Sequence, residues 1–114
     1  MFHWVPTILF DNSECTGFAD VVSVPANSGA WMNSWNTGNL KNRNLNNKIS
    51  SVMVPPGYML DLYDTDFDSE SYRIVGRMRD DGAGIYCHRL PGTGFNDKAS
   101  ALKLIELDPD FGLN

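Results

Sequence analysis

The chain has 114 residues, 42% of them hydrophobic, and a formal net charge of −5. This length predicts one domain, and the lack of a Lys/Arg cluster excludes the usual nucleic-acid binders, because phosphate recognition needs several converging cations. No apolar run approaches the ~20 residues that span a bilayer. The N-terminus also lacks the features of a signal peptide, which slightly favours the cytoplasm.

Six short segments rich in β-branched and aromatic residues predict β-strands. Turns that contain glycine, proline and polar residues separate them. In chain order they are residues 7–10, 21–24, 51–54, 59–63, 72–75 and 102–105. The helical signals are weak by comparison. Many short strands with this punctuation predict an all-β sandwich or barrel.

Related segments in the two halves of the chain indicate an internal repeat. Asn46-Asn47-Lys48-Ile49-Ser50-Ser51 precedes one predicted strand, and Asn96-Asp97-Lys98-Ala99-Ser100-Ala101 precedes another 50 residues later. Upstream, Leu9-Phe10-Asp11 and Leu62-Tyr63-Asp64 recur at an offset of 53 residues. The sequence therefore predicts two copies of one unit, motif one at about 6–54 and motif two at about 58–105, with a loose tail at 108–114. Two such units can cover each other's apolar faces.

Each motif resembles a Greek-key motif of the βγ-crystallin superfamily. The family's six-residue box reads Asn/Asp, Asn/Asp, any, any, Ser/Thr, Ser. Residues 46–51 (box one) match it completely, and residues 96–101 (box two) match it except at Ala101. The family's hairpin pattern of aromatic, four residues, aromatic, one residue, Gly is looser here. Cys15 stands at the second aromatic position of the first hairpin, and Ser69 stands at the glycine position of the second.

The resemblance implies an all-β, βγ-crystallin-like Greek-key sandwich of two four-stranded antiparallel sheets. It also implies two bound calcium ions and no enzymatic activity. Calcium prefers hard oxygen ligands, and the family supplies them as carbonyls, hydroxyls and side-chain oxygens, with ligands shared across a pseudo-twofold axis. Carried over to this sequence, the ligands are the carbonyls of Asp11, Lys48, Asp64 and Lys98, the hydroxyls of Ser50 and Ser100, and the side chains of Asn47 and Asp97.

Two alternative functions stay open at this point. Asn and Asp before a strand are ordinary turn residues, and Ser can bond locally without a metal, as in a crystallin-like domain whose metal sites have decayed. A secreted effector on the same fold, such as a killer toxin or a protease inhibitor, is the other alternative. Cys15 and Cys87 fit two buried free thiols or one disulfide.

A monomer or weak homodimer with a structural or stress-related role is expected.

Overall fold

A computed structural model of the chain describes residues 6–22, 27–31 and 48–107, with Ala30 and Trp31 described by their backbone alone. It contains the strands β1 (Ile8–Phe10), β2 (Ala19–Val21), β3 (Ser28–Trp31), β4 (Ser51–Met53), β5 (Tyr58–Tyr63), β6 (Ser71–Val75), β7 (Cys87–Arg89) and β8 (Ala101–Glu106). Within these ranges there is no helix, and so none long and apolar enough to span a bilayer.

The strands form two four-stranded antiparallel sheets, ordered β2-β1-β4-β7 and β3-β8-β5-β6. This confirms the predicted all-β Greek-key sandwich. Each sheet takes one strand from the other motif, because β3 of motif one pairs with β8, and β7 of motif two pairs with β4. Neither half of the chain therefore completes a sheet by itself.

The core lies between the sheets, where alternate residues of the central strands point inward. Leu60 and Leu62 on β5 are fully buried and face this core. Asp61 between them faces the opposite side, where Arg73 covers it with two hydrogen bonds of 2.8 and 2.9 Å. The remaining core side chains are Leu9, Val22, Ile49, Val52, Val54, Ile74, Leu90, Phe95, Ala99, Leu102 and Leu104. Each large apolar side chain buried here contributes about 1.5–3 kcal/mol.

Three strands differ from the sequence-based prediction. The strand predicted at 21–24 is observed at Ala19–Val21, and residues 23–26 lie outside the described residues. β3 and β7 were not predicted, since Ser-Gly-Ala-Trp and Cys-His-Arg show neither clear alternation nor β-branched residues. These two are the exchanged strands, so pairing with the other motif creates them. The predicted tail at 108–114 also lies outside the described residues.

The two cysteines form a disulfide between Cys15 and Cys87, 72 residues apart in the sequence. Of the two options that the sequence allowed, the buried free thiols are therefore wrong. The pairing of Met53 with Cys87 across β4 and β7 brings Cys87 to the outer face of the first sheet, over which the hairpin carrying Cys15 folds. Closing a loop of this length stabilises the folded state by about 4 kcal/mol in the chain-entropy treatment.

One edge of the sandwich holds a half-buried histidine. His88 lies opposite Val52 in the sheet, so its side chain faces inward, and its ring meets that of Tyr86 edge-on at 4.9 Å. Its Nε2 atom is buried without a hydrogen-bond partner. Burial, followed by the positive charge of Arg77, lowers the pKa of His88 below its ordinary value, although a hydrogen bond to the Val75 backbone acts in the opposite direction.

The lowered pKa of His88 predicts a loss of stability in mild acid. The unfolded chain takes up a proton near pH 6.5, about the unperturbed value, and the folded protein resists it. Stability should thus be level above that pH and fall as the pH drops through it. Urea-unfolding midpoints measured between about pH 5 and 8 test this, with His88→Gln expected to flatten the profile. The pKa of Asp81 is lowered chiefly by the Ala83 backbone N–H, so protonation of Asp81 reduces stability only in stronger acid. A parent profile already flat across this range would contradict the prediction.

Candidate metal site

Box one and box two meet where the chain enters β4 and β8. The hydroxyl of Ser50 in box one donates a hydrogen bond of 2.8 Å to Asp97 Oδ1 in box two. The backbone N–H of Asp97 donates to the Ile49 carbonyl at 3.0 Å. A hydroxyl and a carboxylate that are 47 residues apart in the sequence are thus adjacent, and both had been predicted as ligands.

Equivalent backbone hydrogen bonds seat each box against the end of a strand. The N–H of Ser50 donates to the Phe10 carbonyl at 3.0 Å, and the N–H of Ser100 donates to the Tyr63 carbonyl at 2.8 Å. The next residue after each of these aromatics is Asp11 or Asp64, two of the four predicted carbonyl ligands. Each of these two therefore follows a residue whose carbonyl accepts a hydrogen bond from the serine of the nearby box, in the same way in both motifs.

Hairpin one, residues 11–18 between β1 and β2, is fastened to box one through Ser51. Ser51 Oγ accepts a hydrogen bond from Cys15 N at 2.8 Å and donates one to the Asn12 carbonyl. Within the hairpin, Asp11 N donates to the Phe18 carbonyl at 3.2 Å, and Phe18 N donates to Asp11 Oδ1 at 3.0 Å. The Asp11 carboxylate thus closes the hairpin, and the carbonyl of this residue stays a predicted ligand.

Hairpin two, residues 64–70 between β5 and β6, is closed by its own side chains. Ser69 Oγ accepts hydrogen bonds from Thr65 N at 3.0 Å and Asp66 N at 3.1 Å, and donates one to the Asp66 carbonyl at 2.6 Å. The residue of box two equivalent to Ser51 is Ala101, which is fully buried and has no hydroxyl. Ser69 stands where the family has glycine, and its hydroxyl holds this hairpin closed, whereas in motif one the Ser51 hydroxyl holds hairpin one.

A cation of box two itself pairs with hairpin two. Lys98 Nζ is 3.0 Å from Glu70 Oε1 and 3.7 Å from Asp64 Oδ2. The hydrogen bond with Glu70 raises the pKa of Lys98, burial opposes this rise, and the negative charges of Glu70 and Asp64 add to it. The ammonium offsets part of the negative potential that hairpin two would otherwise present to a metal ion.

Seven of the eight predicted ligands lie in the described part of the chain, and Asn47 lies outside it. The structure brings Asp97 to Ser50, and it links Ser50 and Ser100 to the residues preceding Asp11 and Asp64. The described residues include no group of three or more His, Cys, Asp or Glu side chains able to hold a metal. A site here would depend mainly on carbonyl and hydroxyl oxygens, which fit calcium and do not fit softer metals.

Sequence reasoning missed the residues that support these ligands. Cys15, Cys87 and Ser69 contact the hairpins rather than a predicted ion, and Ser51 was recognised only as the last residue of a box. The signal that could have found two of them was the departure from the family's hairpin pattern. Cys15 stands in place of an aromatic residue, and Ser69 stands in place of a glycine.

Solved structures of known proteins share this fold. The N-terminal domain of protein S superposes with a TM-score of 0.62 at 22% identity, covering 90% of this chain and 97% of that one. A βγ-crystallin domain from Clostridium beijerinckii gives a TM-score of 0.62 at 18% identity over 88% and 97% of the two chains. A βγ-crystallin domain from Flavobacterium johnsoniae gives 0.60 at 22% identity over 88% and 93%. No family model and no curated protein matches the sequence. The chain has the βγ-crystallin fold.

Proposed function

We propose that this βγ-crystallin-fold domain is a non-enzymatic calcium-binding module that takes two ions and serves a structural or stress-related role. The observation that carries the proposal is the 2.8 Å contact between the Ser50 hydroxyl and the Asp97 carboxylate. It joins the fifth position of one box to the second position of the other, which is the pairing expected of ligands shared between two motifs.

Site one consists of the carbonyls of Asp11 and Lys48, the hydroxyl of Ser50 and the carboxylate of Asp97. These are hard oxygens, and water completes the six to eight ligands, at about 2.3–2.6 Å, that calcium takes. The contact with Ser50 supports Asp97 as the charged ligand of this site. Ligand charge strongly influences calcium affinity, and one carboxylate suits a site of moderate to weak affinity.

Site two consists of the carbonyls of Asp64 and Lys98, the hydroxyl of Ser100 and, by the pseudo-twofold relation, the side chain of Asn47. Its side-chain ligand is a neutral amide, and the Lys98 ammonium lies 3.7 Å from the Asp64 carboxylate. Both features reduce the attraction for a divalent cation. Site two should therefore bind calcium more weakly than site one.

Titrating calcium into calcium-free protein in a calorimeter tests the proposal, with magnesium as the matched control ion. Two binding events of unequal affinity are expected, with little response to magnesium, because magnesium gives up its water shell reluctantly. Absence of any calcium binding would contradict the proposal and favour the alternative of decayed metal sites. No specific observation favours the killer toxin or the protease inhibitor.

Calcium should also raise the melting temperature. Binding only to the folded state stabilises it by about 2.7 kcal/mol at a hundredfold excess over Kd. For a domain of this size that corresponds to a rise of about 10 °C, at about 4 °C per kcal/mol. Differential scanning calorimetry with and without calcium measures the shift, and an unchanged melting temperature at saturation would contradict the prediction.

A further inference from the structure

We infer that the Cys15–Cys87 disulfide positions calcium site one, so that reducing it weakens that site and leaves site two intact. The inference rests on the proposed calcium-binding function. It makes calcium stoichiometry at low ion concentration a property that depends on the oxidation state of the two cysteines.

Cys15 makes two of the contacts that hold hairpin one, beside the ion pair between Glu14 of the hairpin and Arg89 of β7. Its sulfur is bonded to Cys87 on β7, and its N–H donates to Ser51 Oγ at 2.8 Å. Ser51 in turn donates to the Asn12 carbonyl. Two ligands of site one, the Asp11 carbonyl and the Ser50 hydroxyl, belong to residues directly adjoining Asn12 and Ser51. The disulfide is therefore linked to site one through the hydrogen bond between Cys15 and Ser51 and through the peptide bonds that join Ser51 to Ser50.

The backbone of Cys15 also needs this support. Its φ angle is 57°, in the left-handed region that residues with a side chain disfavour. The other described non-glycine residues with positive φ are Asn27 and Asp97, which are residue types that tolerate it. The hairpin is also tightly folded, since a Cβ added at Gly17 would lie 2.3 Å from Asp11 Oδ1. Once the disulfide is open, Cys15 can relax, and the Asp11 carbonyl loses one of its constraints while the two hydrogen bonds with Phe18 remain.

Site two has no such dependence. Hairpin two is closed by Ser69 within the hairpin, and Ala101 of box two cannot form the bond that Ser51 forms in motif one. The sulfur atoms belong to hairpin one and β7, and that of Cys15 also contacts the Val52 carbonyl on β4; none of these three elements supplies a ligand to site two. The pseudo-symmetric domain thus carries one oxidation-dependent site and one independent site.

The disulfide borders a surface cavity of 520 Å³ lined also by Met53, Ile85 and Tyr86. Both cysteines are partly exposed, so a small dithiol can reach the bond. One thiolate of the dithiol attacks a cysteine sulfur, which breaks the Cys15–Cys87 bond, releases one cysteine thiolate and forms a mixed disulfide. The second thiol of the dithiol then attacks the dithiol sulfur of the mixed disulfide and releases the other cysteine. The protein gains two electrons and two protons, which leaves two thiols, and the dithiol leaves as a cyclic disulfide.

Calcium titrations of oxidised and dithiol-reduced protein test the inference. Reduction should lower the affinity of one site by about 10- to 100-fold, the range typical of residues that orient a metal ligand, and should leave the other site unchanged. In Ser50→Arg, which lacks site one, reduction should leave the remaining site unchanged. Equal loss at both sites, or no loss at either, would overturn the inference. An oxidised parent that binds no calcium would instead overturn the proposed function.

A second variant keeps the test valid if reduction unfolds the domain. Ser51→Ala retains the disulfide and removes the bond to Cys15, so the oxidised variant should lose affinity at site one alone. Ser71→Ala, at an exposed serine on β6, is the matched control and should bind as the parent does. Parental affinity at both sites of Ser51→Ala would count against the inference.

Discussion

Ser50→Arg is expected to abolish calcium binding at site one. The substitution removes a hydroxyl ligand and adds a guanidinium next to the Asp97 carboxylate, which now accepts the Ser50 hydrogen bond at 2.8 Å. The arginine would pair with the charged ligand and also repel the ion. At about 4 Å with surface-like screening, repulsion costs about 4 kcal/mol per pair of unit charges. That corresponds to roughly a thousandfold loss of affinity.

The matched variant is Ser100→Arg, which should abolish site two and leave site one able to bind. Ser50 is buried, with 7% of its surface exposed, so Ser50→Ala serves as a companion that removes the hydroxyl without adding volume. Asn47→Asp should strengthen site two by adding a carboxylate. Calcium stoichiometry and affinity by calorimetry are the measurements. The ligand assignment fails if both arginine variants bind two ions with parental affinity.

Gly76→Ala is expected to destabilise the domain more than any other glycine-to-alanine change away from a positive-φ position in the described residues. A Cβ at Gly76 would lie 1.8 Å from the Pro55 carbonyl oxygen and 2.9 Å from that of Tyr58. Both are backbone atoms, and the same carbonyls accept hydrogen bonds from Tyr58 N and Gly76 N. The link from β4 to β5 would have to shift, so a cost of about 3 kcal/mol or more is expected, at the upper end for overpacking.

Gly84→Ala provides the control for this effect. The nearest atom to a Cβ there is Arg79 Cδ at 3.9 Å, an ordinary van der Waals distance. Its change in unfolding free energy should stay within about 0.5 kcal/mol. Urea unfolding of the two variants beside the parent measures the difference, and equal stability of Gly76→Ala and Gly84→Ala would contradict the packing argument.

Strands whose own sequence carries the pattern could be predicted, and strands that exist only through pairing could not. β5 and β8 were predicted within a residue of their ends, because Leu60, Leu62, Leu102 and Leu104 alternate with outward-facing residues. β3 and β7 carry no such alternation. Each is a short segment that becomes extended because the edge of a sheet built by the other motif offers it hydrogen bonds.

The candidate site divides in a similar way. The two boxes were visible as a repeat, because ligand types at fixed spacing are a local property of the sequence. The contact between Ser50 and Asp97 crosses the motifs and needs the assembled sandwich. The same is true of the Cys15–Cys87 bond, since a pair of cysteines 72 residues apart carries no sign of whether the fold brings them together.

The exchange of β3 and β7 between the sheets has a consequence for fragments of this chain. If the backbone were cut in the link between β4 and β5, each piece would still supply the edge strand that the other sheet lacks, and the disulfide would still join the pieces. The nicked protein should remain assembled as a complemented pair. Either piece alone would carry a sheet with an unfilled edge, which favours capture of a strand from a second copy, as in domain swapping.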